Sequence, residues 1–180
     1  MDDWLKYHRK FYPSATKKNE LIERVGIGQC GIISADDECL TADQNKFMND
    51  KLFYKLIRPG WGISKVKGFC NNKKCNFCFV YVFPAAKMQH LRSKLIELAK
   101  DFNQKYVLYI SQNGRFELID VFNDTSSIVS IEKEKLFQSN DKLPFYLTTV
   151  SNDEVVANVL SMGLYLNILK YFDTLELQNV

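Results

Sequence analysis

The chain has 180 residues, of which 46% are hydrophobic and 25% charged, and its formal net charge is +3. This composition excludes a largely disordered chain, and the small net charge argues against the dense basic surface of a typical nucleic-acid-binding domain. The length suits one domain, or one domain with an extension. The chain begins MDDWLKYHRKFYPS, with acids where a secretory signal carries basic residues, so we expect a cytoplasmic protein.

The first elements predicted along the chain are a helical arm, a buried strand and a long helix. Residues 1–28 carry the helical pattern of the arm, and the apolar run CGIIS at 30–34 predicts the strand. Thr41, followed three residues later by Gln44, predicts a capping box. The apolar stripe behind it predicts a helix that ends before Pro59.

Two strands, a helix and a further strand follow. WGISKVKGF at 61–69 alternates like a half-exposed strand, NFCFVYVF at 76–83 is apolar on both faces, and CNNKKC is the turn between them. Pro84 opens an amphipathic helix, and KYVLYI at 105–110 is a strand with a hairpin partner after an Asn-Gly turn. The predicted class is α+β, with a ferredoxin-like β-α-β-β-α-β core and an added hairpin strand.

The last part of the chain is less regular. Residues 124–127 and 138–142 are predicted as loops and 143–150 as a strand, and Asn152 can cap a final helix that carries no charge between Glu154 and Lys170. The uncharged span is shorter than the roughly 20 residues that cross a bilayer, so either the core covers the helix or a second copy does, through residues 155–169. The predicted segments are a helical arm (1–28), an α+β core domain (29–122) and a C-terminal extension whose buried helix packs on the core (123–180).

Three of the five cysteines, Cys70, Cys75 and Cys78, have the C-x4-C-x2-C spacing of an iron-sulfur site. That site needs a fourth ligand downstream, where the chain has no cysteine. Cys75 and Cys78 are also three apart on a predicted strand, so their side chains should point to opposite faces. We therefore predict no metal, no cofactor and no disulfide.

The strand that contains Cys78 carries aromatic residues at alternate positions, Phe77, Phe79 and Tyr81. It resembles the central-strand motif of RNA-recognition domains, which share the β-α-β-β-α-β order. One interpretation is that bases stack on these rings while Lys65 and Lys67 lie near phosphates. The other is that the C-terminal segment covers the rings and makes them part of the core.

Four further stretches, GIISADD, DQNKFMNDKL, GWGISKVKGF and FNQKYVLYI, resemble a family of small uncharacterised phage and bacterial accessory proteins. The likeness covers roughly residues 30 to 112 and picks out Ser34, Asn45, Gly68 and Gln104. The acid that the family has before Asn45 is here Gln44. The resemblance implies a compact accessory protein of phage type and carries no activity with it.

No catalytic pattern stands out. The two histidines lie in no motif, and the chain has no P-loop, no Gly-rich dinucleotide turn and no G-x-S-x-G. The acids Asp36, Asp37, Glu38 and Asp43 could hold Mg²⁺, or they could form a solvated loop before the helix. No catalytic residue is predicted, and an enzyme is the less favoured class.

We therefore expect a binding protein. The favoured hypothesis is a phage-type accessory protein, acting in counter-defence, that sequesters a nucleotide-like ligand or blocks a host protein. The alternatives are a virion or host-protein interaction module and a single-stranded RNA-binding domain; no membrane partner is expected. The predicted ligand-binding residues are Ser34, Asn45, Lys65, Lys67, Phe77, Phe79, Tyr81 and Gln104.

Overall fold

A computed structural model describes residues 17–58, 60–83 and 90–151. The helices in these ranges are α1 (Lys18–Arg24), α2 (Ala42–Leu56) and α3 (Leu91–Asp101), with a 3-10 turn at Lys133–Lys135. The strands are β1 (Cys30–Ile33), β2 (Trp61–Cys70), β3 (Lys73–Val82), β4 (Tyr106–Ile110), β5 (Phe116–Asp120), β6 (Thr125–Val129) and β7 (Phe145–Val150). None of the described helices is long and apolar enough to cross a membrane. The first part of the predicted arm, the predicted helix start at Pro84 and the predicted helix at 154–170 lie outside the described residues.

All seven strands form one antiparallel sheet in the order β6-β5-β4-β1-β3-β2-β7. The predicted α+β class is therefore confirmed. This seven-stranded sheet is wider than a four-stranded ferredoxin-like unit with one added strand. The predicted ferredoxin-like topology is therefore not established. The boundaries predicted at 28 and 122 stay predictions, although β6 and β7 belong to the same sheet as the core strands.

Several local signals act as predicted. The Thr41 side chain accepts a hydrogen bond from the backbone of Gln44, and the Gln44 side chain accepts one from the backbone of Thr41, which completes the capping box. The turn between β2 and β3 is narrower than CNNKKC. It consists of Asn71 and Asn72, whose φ angles of 48° and 63° fit the type I′ hairpin turn that favours asparagine.

The prediction of a loop at 124–127 is wrong, because β6 occupies Thr125–Val129 and pairs with β5 along its length. Its sequence TSSIV lacks the alternation of a half-buried strand, since this edge strand is exposed on almost every residue. Its backbone pairing with β5 stabilises it instead. The predicted strand at 143–150 is present as β7.

The sheet has an apolar core on each face. Helices α2 and α3 cover one face, where Leu52 and Leu95 pack with Cys78 and Val80 of the central strand. On the other face, Leu21 of α1 and Leu136 belong to a second buried cluster with Phe77, Phe79 and Tyr81. The aromatic residues therefore lie on the face away from α2 and α3, as their alternation predicts.

Gly68, which the family resemblance picks out, lies in β2 opposite Leu147 of β7. A Cβ atom at this position would lie 2.2 Å from the backbone oxygen of Tyr146, next to a shift in strand register. We expect Gly68→Ala to lower the free energy of unfolding by about 1–3 kcal/mol, as overpacking does. Lys67→Ala, at the neighbouring exposed position, should change it by less than about 0.5 kcal/mol. Urea unfolding of the two variants measures the difference, and equal stabilities would contradict this packing of β7.

Candidate functional site

A cavity of about 670 Å³ lies at the end of the sheet where β1 ends and β4 begins. Its walls come from the loop at 34–42, from the β2–β3 hairpin and from residues 104–106 that lead into β4. The start of β7 closes the remaining side. Four of the side chains predicted to bind a ligand line it: Ser34, Asn45, Phe77 and Gln104.

Asn45 and Gln104 hold the backbone of the loop that forms one wall. The Asn45 side-chain oxygen accepts a hydrogen bond from the Asp37 backbone N–H at 2.9 Å, and its amide donates to the Asp37 carbonyl at 3.0 Å. The Gln104 amide donates to the Asp36 carbonyl at 2.9 Å. Two amide side chains, from α2 and from the start of β4, therefore fix two consecutive residues of the loop.

The Asp36 carboxylate ties the same loop to β3 and α2. It accepts hydrogen bonds from the Asn76 backbone N–H at 2.8 Å and from the side-chain amide of Asn49. Ser34 adds a further link, because its hydroxyl donates to the Asn76 carbonyl and accepts from the Asp36 backbone N–H at 3.1 Å. The loop is thus attached on both sides by charge-assisted and neutral hydrogen bonds.

Ser34, Asn45 and Gln104 are far apart in the sequence, yet all three bind one short stretch of backbone. Each side chain forms hydrogen bonds within the protein, to the loop or to β3. Their direct effect is therefore to shape the cavity wall. Three of the four residues that the family resemblance picks out therefore lie together in space, whereas Gly68 does not line this cavity.

The cavity is lined by side chains of both charges. Asp36, Asp37 and Glu38 lie on the loop, and Lys73, Lys74 and Lys105 lie on the hairpin and before β4. Lys73 Nζ is 3.7 Å from Glu38 Oε2, and both side chains are about two-thirds exposed. An ion pair this exposed contributes little stability, so Lys73 can exchange its partner for an anionic ligand at small cost.

Aromatic side chains form the apolar part of the lining. Phe77 and Phe145 pack together with their ring centroids 5.1 Å apart, and both are buried. Tyr106 is half-buried, and the Lys105 ammonium lies 4.9 Å from its ring centroid. The cavity therefore places a basic group over an aromatic ring.

The rings proposed as a stacking platform are buried. Phe77 is 4% exposed, Phe79 0% and Tyr81 2%. The Arg24 guanidinium lies 5.1 Å from the centroid of Tyr81. Phe79 and Tyr81 are therefore core residues in this structure, and a base reaches neither ring without displacement of the elements that cover them.

Lys65 and Lys67 lie apart from these rings. Lys65 pairs across the strands with Cys78, which faces α2, and its ammonium contacts Asp50 at 2.7 Å. Lys67 is exposed and lines a second cavity of about 320 Å³ together with Lys65. Because Lys65 and Phe79 lie on opposite faces of the sheet, one ligand cannot bridge them as the stacking hypothesis requires.

Cys75 and Cys78 lie on opposite faces of the sheet. Cys78 packs in the core beneath the helices and Cys75 packs against the opposite core, so the predicted opposite orientation is confirmed. In residues 17–58, 60–83 and 90–151, no group of three or more His, Cys, Asp or Glu side chains is arranged to hold a metal ion. The Asp36 carboxylate is instead engaged by amide donors.

Sequence reasoning missed several residues of the cavity, above all Lys105, Tyr106 and Asn76. A usable signal existed, because Tyr106 opens the strand that runs antiparallel to β1. The start of one antiparallel strand lies at the same end of the sheet as the end of its neighbour. Lys105 and Tyr106 therefore had to lie near Ser34.

Comparison of the chain with models of known protein families, with curated proteins and with solved structures gives no significant match. The geometry of the cavity is thus the basis on which a function is proposed.

Proposed function

We propose that this protein binds a nucleotide-like small molecule in the cavity at the end of β1. The observation that carries the proposal is the convergence of the loop at 34–42, the β2–β3 hairpin and residues 104–106 on one space of about 670 Å³. Ligand sites in proteins typically occupy about 300–1,000 Å³. Four predicted ligand-binding residues supply part of that lining.

The chemistry of the lining suits a ligand with an anionic end and a flat polar end. Lys73, Lys74 and Lys105 can bind phosphate oxygens as compact cations. Tyr106 supplies an aromatic surface next to Lys105, and Asp37 supplies acceptors for the amino groups of a base. A nucleotide combines both ends in one molecule.

Sequestration is the mode of action that fits this site best. The protein would act as a phage-type accessory protein in the cytoplasm, removing a nucleotide signal in counter-defence. Ser34, Asn45 and Gln104, which the family resemblance picks out, shape the proposed site, although the resemblance itself carries no activity. The strand order β4-β1-β3-β2 with α2 and α3 also supports a ferredoxin-like unit, to which β5, β6 and β7 add the outer strands.

A thermal-shift screen tests the proposal. Linear and cyclic nucleotides are added to the full chain, and a ligand present at 100 times its Kd should stabilise the fold by about 2.7 kcal/mol. For a protein of this size, that stabilisation corresponds to a rise in Tm of about 5–10 °C. We expect the double variant Lys73→Ala/Lys74→Ala to lose this rise, whereas Lys67→Ala should retain it.

The Lys67→Ala control also replaces an exposed lysine, one where the test variant replaces two, but Lys67 does not line the proposed site. If Lys67→Ala loses the response as fully as the double variant does, the ligand lies elsewhere on the protein. If no nucleotide raises the Tm at a ligand concentration of about 1 mM, the Kd is about 1 mM or weaker, which corresponds to a binding free energy of at most about 4 kcal/mol. Nucleotide sequestration is then wrong.

A protein-interaction module is the second candidate, and the edge strand β6 favours it. Among the strands that the structure describes, β6 pairs with β5 alone, and Ile128 on it is 52% exposed. An exposed edge strand can accept a strand from a partner protein through backbone hydrogen bonds. Single-stranded RNA binding has weaker support, because Phe79 and Tyr81 are covered.

A further inference from the structure

Cys70 and Cys75 lie on either side of the β2–β3 turn and face the same cavity. Cys70 pairs with Lys73 across the hairpin, and Gly68 pairs with Cys75. The two cysteines are therefore diagonal neighbours on one face of the hairpin. Both are half-buried, and both line the cavity of about 670 Å³.

The side chains of Cys70 and Cys75 are close enough to interact. The Cys70 thiol donates a hydrogen bond to the Cys75 sulfur, which lowers the pKa of Cys75 and raises the pKa of Cys70. Burial and the nearby Asp36 carboxylate oppose the lowering at Cys75 but do not cancel it. Cys75 is thus the sulfur that more readily carries the negative charge, and the thiolate is the reactive form of cysteine.

The other three cysteines lack such a partner arrangement. Burial raises the pKa values of both Cys30 and Cys78 to about 12, which keeps these thiols protonated and unreactive. Cys39 is exposed on the loop and serves as an internal reference for an accessible thiol. The hairpin pair therefore differs from every other cysteine of the chain.

We propose that Cys70 and Cys75 form a reversible oxidation site in the cavity wall, with Cys75 as the attacking sulfur and Cys70 as the resolving thiol. The oxidant is a peroxide. The Cys75 thiolate attacks one peroxide oxygen, the O–O bond breaks, and Cys75 becomes a sulfenic acid as hydroxide leaves. The Cys70 sulfur then attacks the Cys75 sulfur, the S–O bond breaks, and the oxygen leaves as water with the Cys70 proton. The two thiols together lose two electrons, which the peroxide gains.

Closing the disulfide changes the hairpin. Diagonal residues of a sheet are about 7–8 Å apart, whereas disulfides span Cα separations of about 4.4–6.8 Å. The strands must therefore twist to bring the sulfurs to about 2.05 Å. Lys73 and Lys74 lie inside the closed loop, so oxidation moves two basic groups of the cavity wall. This inference goes beyond the proposed function, because the oxidation chemistry requires no ligand.

Peptide mapping by mass spectrometry tests the oxidation site on the full chain with Cys39→Ser. After treatment with hydrogen peroxide, we expect the peptides containing Cys70 and Cys75 to be joined with the loss of two hydrogen atoms, and a thiol reductant should reverse the loss. With Cys70→Ser added, the sulfenic acid at Cys75 should persist and be trapped by dimedone. With Cys75→Ser added instead, the dimedone adduct at Cys70 should be absent.

Two outcomes would overturn the proposal. One is equal dimedone labelling in the Cys70→Ser and Cys75→Ser proteins, which would remove the distinction between attacking and resolving sulfur. The other is oxidation of Cys39 in the unmodified chain before any Cys70–Cys75 disulfide forms. Thermal unfolding of each reduced variant verifies that the compared proteins are folded.

Discussion

Phe79→Ala is expected to lower the free energy of unfolding by about 3–5 kcal/mol, the cost of truncating a fully buried aromatic residue. Phe79 is 0% exposed and belongs to the core that Leu21 and Leu136 share on the face away from α2 and α3. The substitution removes the apolar contacts of the ring and leaves a cavity beneath α1. Urea unfolding followed by circular dichroism measures the loss.

Tyr106→Ala is the matched control, because Tyr106 is an aromatic residue that is only half-buried and faces the cavity. Tyr106→Ala should lower the free energy of unfolding clearly less than Phe79→Ala does. A Phe79→Ala protein as stable as the wild type would contradict the core assignment and restore the stacking platform. The same argument applies to Tyr81, so Tyr81→Ala is an unsuitable probe of ligand binding, since it would weaken the fold.

Asp36→Ala is expected to lower the free energy of unfolding by about 1–3 kcal/mol, because it removes the acceptor of two hydrogen bonds, one of which is partly buried. Their donors are the Asn76 backbone N–H and the Asn49 side-chain amide, which the carboxylate now joins. The substitution removes two of the hydrogen bonds that hold the loop to β3 and α2, while those of Ser34 and Asn45 remain. Because the loop forms one wall of the proposed site, we also expect any nucleotide response in the thermal-shift screen to weaken.

Glu38→Ala is the control on the same loop. Glu38 is exposed, and its contact with Lys73 is long and solvated, so the change in stability should stay below about 0.5 kcal/mol. If Asp36→Ala is as stable as Glu38→Ala, the carboxylate does not hold the loop. Both variants are compared by urea unfolding under identical conditions.

Local sequence signals predicted the elements that depend on local chemistry. The capping box at Thr41 acts within a few residues, so its pattern identifies it directly, and the turn at Asn71 and Asn72 lies within the wider turn predicted at CNNKKC. The strand β6 was missed because exposed edge strands are stabilised by backbone pairing, which leaves no hydrophobic alternation in the sequence. The total width of the sheet was underestimated for the same reason.

The faces of β3 followed from alternation, but the burial of its aromatic residues did not. Alternation places Phe79 and Tyr81 away from α2 and α3, yet it cannot say that α1 packs over them, because that contact joins residues about 60 positions apart. The same limit applies to Lys65. Its distance from the aromatic face follows from its pairing with Cys78, which becomes known only with the strand register.

The candidate site was predicted in part. Ser34, Asn45 and Gln104 were selected by resemblance, and the structure shows that they converge on the loop at 36–37. The loop acids were noticed as a possible metal site, whereas Asp36 instead accepts hydrogen bonds from amides of β3 and α2. Such bonds link distant segments and have no spacing pattern in the sequence.

Hydrogen–deuterium exchange with the best nucleotide from the screen tests the location of the site most directly. A ligand in the cavity at the end of β1 should slow exchange in peptides covering 34–45, 70–77 and 104–106, while peptides covering β6 should be unchanged. Slowed exchange confined to β6 or to the region around Lys67, with no change at 34–45, would contradict the proposed nucleotide site.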